Sequence, residues 1–175
     1  MHRLSVDEFK AASKLPLIVV LDNVRSLHNV GSVLRSCDAF RVEAVYLCGI
    51  TATPPSAEIH KTALGAEDSV TWKYFAQTTD AINELHAKGT KVFAVEQVAG
   101  STMLQNLDTE VGTRYAVVLG NEVKGVQQTV VDLCDGCLEI PQFGTKHSLN
   151  VSVAAGIVVW EFAKKIGKGE GVKRR

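Results

Sequence analysis

Unbroken apolar runs constrain the fold of this chain more than any other feature. Residues 17–21, 44–48 and 115–119 each contain only hydrophobic residues. A run of this length without polar alternation is typical of a strand covered on both faces, as in a parallel sheet packed between helices. We therefore expect these runs to form the centre of such a sheet.

Segments with helical spacing of apolar residues separate the predicted strands. Helices are expected at residues 6–12, 29–40, 57–64, 80–87, 128–133 and 149–165. Further strands are expected at residues 70–75, 91–95 and 137–140. This alternation predicts an α/β fold with a mostly parallel sheet covered by helices.

The length and composition are typical of one globular domain. The chain has 175 residues, 46% of them hydrophobic and 22% charged, which suits one sizeable core and is too little for two ordinary domains. No apolar run approaches the roughly 18 residues needed to cross a bilayer, and the first residues lack the apolar segment of a secretory signal. We expect a single domain over residues 1–175, located in the cytoplasm.

The cysteines indicate neither a disulfide framework nor a metal centre. Four cysteines in a cytosolic chain with a real core are expected to stay reduced. Cys134 and Cys137 form a single C-x-x-C, whereas a zinc site needs two such pairs or nearby histidines. No metal is predicted.

A polar pair stands at the entrance of the most apolar predicted helix. Ser148 and Asn150 lie where the helix at residues 149–165 begins, after a turn that contains Pro141 and Gly144. Both residue types cap helices by accepting hydrogen bonds from free backbone N–H groups. Both also offer polar side chains to a ligand, so the pattern alone leaves capping and binding open.

Two other strand ends carry polar loops with glycine. Asn29 and Arg35 follow the first strand, and Gly120 and Glu122 follow the strand at residues 115–119. Neither loop has the spacing of a P-loop or the G-x-G-x-x-G spacing of a dinucleotide-binding oxidoreductase domain. Such a domain shares the order of strand, loop and helix, and it is the less favoured alternative.

Together the three segments resemble the three motifs of the TrmH (SpoU) family of SPOUT RNA methyltransferases. The five positions that characterise these motifs are filled, in the family's order, by Asn29, Arg35, Glu122, Ser148 and Asn150. The resemblance implies that these residues serve the methylation of a ribose 2′-hydroxyl in structured RNA, tRNA or rRNA, with S-adenosylmethionine as methyl donor. It also implies a C-terminal trefoil knot, an exception to the rule that chains avoid knots. A non-catalytic RNA-binding module of the same fold is a further alternative.

The resemblance also implies where the cofactor and the RNA are held. Cofactor contacts carry over to Gly120, Ile140 and Leu149, with Val95, Glu96 and Leu119 beside them. RNA contacts are expected from basic residues near the motifs and in the tail, namely Arg25, Lys124, Lys146, Lys168, Lys173, Arg174 and Arg175. The net charge is zero, so local clusters rather than a wholly basic groove must hold an RNA. The glycine-rich tail at residues 167–175 is expected to be flexible, and a solvated terminus without function is an equal alternative.

Individual roles follow from side-chain chemistry within this resemblance. The family's usual account makes the arginine a proton acceptor. A guanidinium stays protonated at neutral pH and is a poor base, so we expect Arg35 instead to bind the phosphate beside the target ribose and to stabilise the developing alkoxide. Asn29 is also expected to cap its helix, and Glu122 to orient Asn29 or Arg35. Ser148 and Asn150 should point in different directions, one toward the cofactor or substrate and the other toward the loop of the second motif.

The last helix predicts a partner subunit. It is apolar on nearly every face, and a domain of this size can cover only one of them. We expect the uncovered face to pack in a homodimer, partly through Val158, Val159 and Phe162. Residues 1–16 are expected to form only a short N-terminal extension, so substrate selection would depend on the core surface and the tail.

Overall fold

Parallel pairing throughout the sheet confirms the predicted fold class. A computed structural model describes residues 2–167, in which every pairing between the strands is parallel. The strands are β1 (Leu15–Asp22), β2 (Val42–Cys48), β3 (Trp72–Phe75), β4 (Lys91–Val95), β5 (Thr102–Met103), β6 (Tyr115–Gly120) and β7 (Gly136–Glu139). They lie in the order β3-β2-β1-β6-β4-β7-β5, so the three apolar runs form adjacent strands.

Helices cover both faces of this sheet. They are α1 (Val6–Ala11), α2 (Leu27–Ala39), α3 (Ala57–Ala63), α4 (Ala66–Ser69), α5 (Thr78–Ala87), α6 (Gln128–Leu133) and α7 (Val151–Ile166), with a 3-10 turn at Leu104–Asn106. Leu17, Val19 and Leu21 of β1 belong to the core that contains α2 and α7. Ile18 and Val20 belong to the second core, with α5 and α6. Alternate residues of one strand thus fill two cores, which is why residues 17–21 are all apolar.

The elements predicted from the sequence are all present, with ends displaced by no more than two residues. Two short elements, β5 and α4, were not predicted. Their two and four residues are too few to show a periodicity.

The carboxyl ends of the central strands meet at one edge. Asp22 of β1 pairs in register with Cys48 of β2 on one side and with Gly120 of β6 on the other. The strand order reverses between β1 and β6, and open parallel sheets bind ligands outside the strand ends at such a point. The loops after β1 and β6 therefore lie where a site is expected.

One apolar face of helix α7 is buried in this chain and another is exposed. Val158 and Phe162 have no exposed surface, and neither does Val159, so the prediction that these residues meet a partner was wrong. The apolar side chains that α7 leaves exposed are Val153, Ile157 and Trp160, at 51%, 38% and 53%. Their spacing of four and three residues puts them on one stripe of the helix.

The four cysteine thiols are free. Burial raises the pKa of Cys48 and that of Cys134 to about 12, so both thiols are protonated at neutral pH and poorly nucleophilic. Within residues 2–167, no group of three or more His, Cys, Asp or Glu residues could hold a metal ion.

The strands and helices do not test the predicted knot or the predicted RNA contacts of the tail. Strand order does not define how the chain is threaded, so the trefoil knot stays a prediction. The tail residues expected to contact RNA, Lys168, Lys173, Arg174 and Arg175, lie outside the described residues. In the part of the chain that the structure describes, no helix combines the length and apolar character of a membrane span.

Candidate active site

A cavity of about 380 Å³ opens at the carboxyl ends of β4, β6 and β7. The six residues expected to hold a cofactor all line it, namely Val95, Glu96, Leu119, Gly120, Ile140 and Leu149. The segment between β7 and α7 also contributes His147 and Ser148 to the wall. Residues that the resemblance placed at the cofactor thus line one cavity, although their segments are far apart along the chain. That they bind a cofactor stays a prediction.

Gly120 permits two backbone segments to approach closely at the end of β6. A Cβ at this position would lie 2.1 Å from the carbonyl carbon of Gly125 and 2.2 Å from the nitrogen of Val126. Both distances are far inside van der Waals contact. The packing of the chain against itself thus requires glycine here.

Asn121 holds the loop after β6 in its shape. The backbone N–H of Asn121 donates to the carbonyl oxygen of Gly125 over 3.1 Å, and the N–H of Gly125 donates back over 2.9 Å. The Asn121 Oδ1 accepts from the N–H groups of Val123 and Lys124, and its Nδ2 donates to the carbonyl oxygen of Asn23. Asn121 was not predicted from the sequence, where its only signal was an asparagine in a short loop with glycine at both ends.

Glu122 ties this loop to the segment after β1. Its Oε2 accepts from the backbone N–H of Arg25 and its Oε1 from that of Ser26, each over 3.0 Å. Its Oε1 also accepts from Nδ2 of Asn29 over 3.1 Å. Burial acts to raise the pKa of Glu122, but these hydrogen bonds outweigh it, so the pKa lies below its ordinary value of 4.5. Glu122 is therefore ionised at neutral pH.

Asn29 and Asn150 join the first motif to the third. Nδ2 of Asn150 donates to Oδ1 of Asn29 over 3.3 Å. The expectation that Ser148 or Asn150 contacts the second motif's loop is met only indirectly, because Asn29 in turn donates to Glu122. Oδ1 of Asn150 accepts from the backbone N–H of Ser152 over 2.9 Å, so Asn150 also caps α7. The prediction that Asn29 caps α2 was wrong, because Ser26 caps this helix and Asn29 is its third residue.

The remaining predicted residues divide between the cavity wall and the exposed surface. Ser148 and Lys124 line the cavity. Arg25 and Lys146 are exposed on loops beside it. Arg35 is exposed on α2 and is not part of the cavity wall, so the structure does not bring its guanidinium together with the other motif residues in one chain.

A fully buried carboxylate closes the end of β1 beside the site. Asp22 has no exposed surface and accepts from the Thr78 hydroxyl over 2.6 Å. It also accepts from the backbone N–H of Gln127 over 2.8 Å and from its Nε2 over 2.7 Å. Asp22 thus anchors the chain just after the loop that carries Glu122. It was not predicted as a site residue, and its signal was a charged residue that ends an apolar run.

Residues 16–160 match the SpoU rRNA Methylase family. The chain belongs to this family. Among curated members, the 23S rRNA (guanosine-2′-O-)-methyltransferase RlmB of Nitrosomonas europaea is 36% identical over 156 residues, which cover 89% of this chain and 58% of that protein. This SpoU family chain therefore spans less than two thirds of the length of that relative.

Solved structures of SpoU proteins share its fold. The A. aeolicus TrmH/SpoU tRNA modifying enzyme has a TM-score of 0.80 and 26% identity, over 91% of this chain and 81% of that one. An AdoMet-bound rRNA methyltransferase from Sinorhizobium meliloti has a TM-score of 0.79 and 29% identity, over 87% and 60%. These similarities confirm the resemblance that the three motifs indicated.

Proposed function

We propose that this chain transfers the methyl group of S-adenosylmethionine to a ribose 2′-hydroxyl of an RNA. The observation that carries the proposal is that hydrogen bonds join three distant segments beside one cavity. A hydrogen-bonded series runs from Glu122, which lines the cavity, through Asn29 to Asn150. Membership of the SpoU rRNA Methylase family and the activity named for the N. europaea relative support it.

The cavity suits S-adenosylmethionine in size and chemistry. Its volume of about 380 Å³ lies within the roughly 300–1,000 Å³ of small-molecule sites. Leu119, Ile140 and Leu149 offer apolar surface to an adenine ring, and Glu96 and Glu139 offer carboxylates to ribose hydroxyls or an amino group. The S. meliloti protein was solved with AdoMet bound. When bound, the cofactor supplies the methyl group that is transferred.

The contribution of the protein is mainly positioning, because an in-line transfer requires the reacting groups to be held in a near-attack geometry. The ionised Glu122 fixes the backbone after β1 and the Asn29 side chain. Asn150 connects both to the start of α7. With a lowered pKa and its oxygens already accepting from N–H groups, Glu122 is a positioning residue and not the acceptor of the hydroxyl proton.

We assign Arg35 to the RNA rather than to the cofactor. It follows Asn29 by six residues on α2, which turns it about 120° around the helix, and its side chain is exposed. In that position the guanidinium is free to bind a substrate phosphate. Held there, it stabilises negative charge on the attacking oxygen without acting as a base.

The exposed stripe of α7 supports a homodimer. Val153, Ile157 and Trp160 leave apolar surface uncovered in the described chain. Trp160 also packs against Phe40, directly after α2, with ring centroids 5.8 Å apart. A second copy of the chain would cover this face by an isologous contact. Because Phe40 directly follows α2, such a dimer would bring α2, the helix that carries Arg35, near the interface.

Basic residues around the cavity support a structured RNA as substrate. Arg25, Lys124 and Lys146 are exposed there and can contact phosphates. The N. europaea relative is named for a guanosine of 23S rRNA and the A. aeolicus structure for tRNA, and both are structured RNAs.

We propose the cytoplasm as the location of the reaction. Family membership removes the oxidoreductase alternative, and experiment separates the enzyme from a non-catalytic RNA-binding module.

The test of this function combines cofactor binding with RNA mapping. Purified protein is incubated with S-adenosylmethionine and with tRNA and rRNA from cells that lack the gene. Mass spectrometry should then locate a new 2′-O-methylated nucleotide at a defined position. Calorimetry measures cofactor binding separately. No binding at millimolar S-adenosylmethionine, together with no methylated nucleotide, would favour the non-catalytic module and overturn the proposal.

A further inference from the structure

Phe143 exposes an aromatic ring at the rim of the cavity. Its side chain is 96% exposed. A single exposed apolar residue is ordinary on a protein surface, so its position is what matters here. Gln142, directly before it, and His147, shortly after it, both line the cavity. The ring therefore faces solvent from a segment that also lines the cavity.

The ring has no part in holding the described chain together. Within residues 2–167, no backbone hydrogen bond engages residues 141–149. Phe143 belongs to neither hydrophobic core, and the residues from 143 to 150 are exposed. A substitution of Phe143 should therefore leave the fold intact.

Two lysines belong to the segments that line the same cavity. Lys146 follows Phe143 by three residues in the same segment, and Lys124 belongs to the cavity wall formed by the loop after β6. Both lysines are exposed, and neither joins an ion pair in the part of the chain that the structure describes. Proteins bind nucleic acid strands with this combination, because rings stack on bases while cations contact phosphates.

We propose that Phe143 stacks on a nucleobase of the substrate RNA beside the nucleotide that is methylated, with Lys124 and Lys146 on flanking phosphates. The inference rests on the proposed function and extends it to how the RNA is held. Stacking tolerates any base, so Phe143 orients the strand at the cavity rather than reading its sequence. The cofactor's adenine and a second subunit are the other groups that could cover the ring, and each gives a different experimental result.

The test measures methyl transfer to a transcript that carries the mapped methylation site. Phe143→Ala is compared with Phe143→Tyr, which keeps an aromatic face, and with Phe143→Leu, which keeps apolar surface without one. Val111→Ala is the matched control, because Val111 is fully exposed in the loop before β6, at the opposite edge of the sheet. Alanine and leucine should raise KM for RNA by about five- to a hundredfold. Tyrosine and Val111→Ala should stay near the parent.

A second measurement ties this effect to one base. Single nucleobases beside the target are replaced by abasic residues in the same transcript. At one position the difference between the parent and Phe143→Ala should disappear, because the stacking partner of the ring is then absent. Persistence of the full difference at every position would contradict stacking.

The possible results separate this inference from the proposed function. An unchanged KM in Phe143→Ala overturns the inference, while methyl transfer by the parent leaves the proposed function intact. Weakened cofactor binding in calorimetry, or a monomer in sedimentation, assigns the ring to the adenine or to the second subunit and also overturns it. If the parent methylates no RNA, both fail together.

Discussion

Nδ2 of Asn29 donates a hydrogen bond to Oε1 of Glu122 over 3.1 Å, between residues 93 positions apart in the sequence. Asn150, 121 positions from Asn29, donates to the oxygen of the same amide. One asparagine side chain therefore connects all three motifs, with both its donor and its acceptor in use. A change at this residue should remove the contacts with Glu122 and Asn150 together.

Asn29→Ala should lower kcat and leave cofactor affinity nearly unchanged, because Asn29 is not part of the cavity wall. We expect it to reduce the free energy of unfolding by about 1 kcal/mol, the typical net value of a hydrogen bond. Asn29→Asp should reduce kcat and the free energy of unfolding further than Asn29→Ala does, because it places a second carboxylate beside the ionised Glu122. Urea unfolding and single-turnover methyl transfer measure both effects. Equal losses in the two variants would contradict the donor role of Asn29.

Glu122→Gln should reduce stability only at pH values where Glu122 is ionised. Burial acts to raise the pKa of Glu122, and the N–H groups around it bring it below 4.5. The folded state then binds fewer protons than the unfolded state. The stabilisation is therefore complete above pH 4.5 and is lost as the pH falls through the folded pKa. The difference in unfolding free energy between parent and variant should shrink on acidification below pH 4.5, and growth of that difference would contradict the assignment.

Gly120→Ala should abolish cofactor binding, because its Cβ would lie 2.1 Å from the carbonyl carbon of Gly125 and would displace the loop that lines the cavity. The loss of stability should be in the range of about 1–3 kcal/mol known for overpacking. Gly144→Ala is the control, since a Cβ there meets nothing within 4 Å. Calorimetry with S-adenosylmethionine compares the two. Wild-type affinity in Gly120→Ala would show that the loop tolerates the displacement.

Arg35→Ala should lower methyl transfer by roughly 10²- to 10³-fold, as expected when one donor to the transition state is removed. Cofactor affinity should be nearly unchanged, because Arg35 is exposed and does not line the cavity. Turnover under saturating RNA and calorimetry with the cofactor give the two values. Turnover within a few-fold of the parent would exclude Arg35 from the chemistry.

Two charged substitutions on α7 should have different consequences. Trp160→Glu puts a charge on the exposed stripe and should dissociate a homodimer without unfolding it, since Trp160 is 53% exposed. Val159→Glu puts an unpaired charge into the core, where Val159 has no exposed surface, and should unfold the protein. Sedimentation and circular dichroism separate the two outcomes. A monomeric parent at micromolar concentration would contradict the dimer.

The strands and helices could be predicted from the sequence because apolar runs and helical spacing are patterns of residues close together in the chain. The strand at residues 91–95 and the helix at residues 128–133 were predicted to the residue. Glu122, Ser148 and Asn150 were recognisable because polar residues at strand ends and helix starts form motifs that a family shares. In an open parallel sheet, ligands bind outside the carboxyl ends of the strands, so such residues are predicted to meet there.

Which atoms meet was decided only by the tertiary structure. Helix α2 begins two residues before its predicted start, so Ser26 caps it and Asn29 lies within its first turn. Each residue turns a helix by about 100°, and this position lets the Asn29 side chain bond to Glu122 and Asn150. The same geometry buries Val159 and exposes its neighbour Trp160. Asp22 meets Gln127 across 105 positions because the chain brings α6 against the end of β1. Hydrogen bonds over such separations depend on which elements lie side by side, and no local pattern of residues encodes that arrangement.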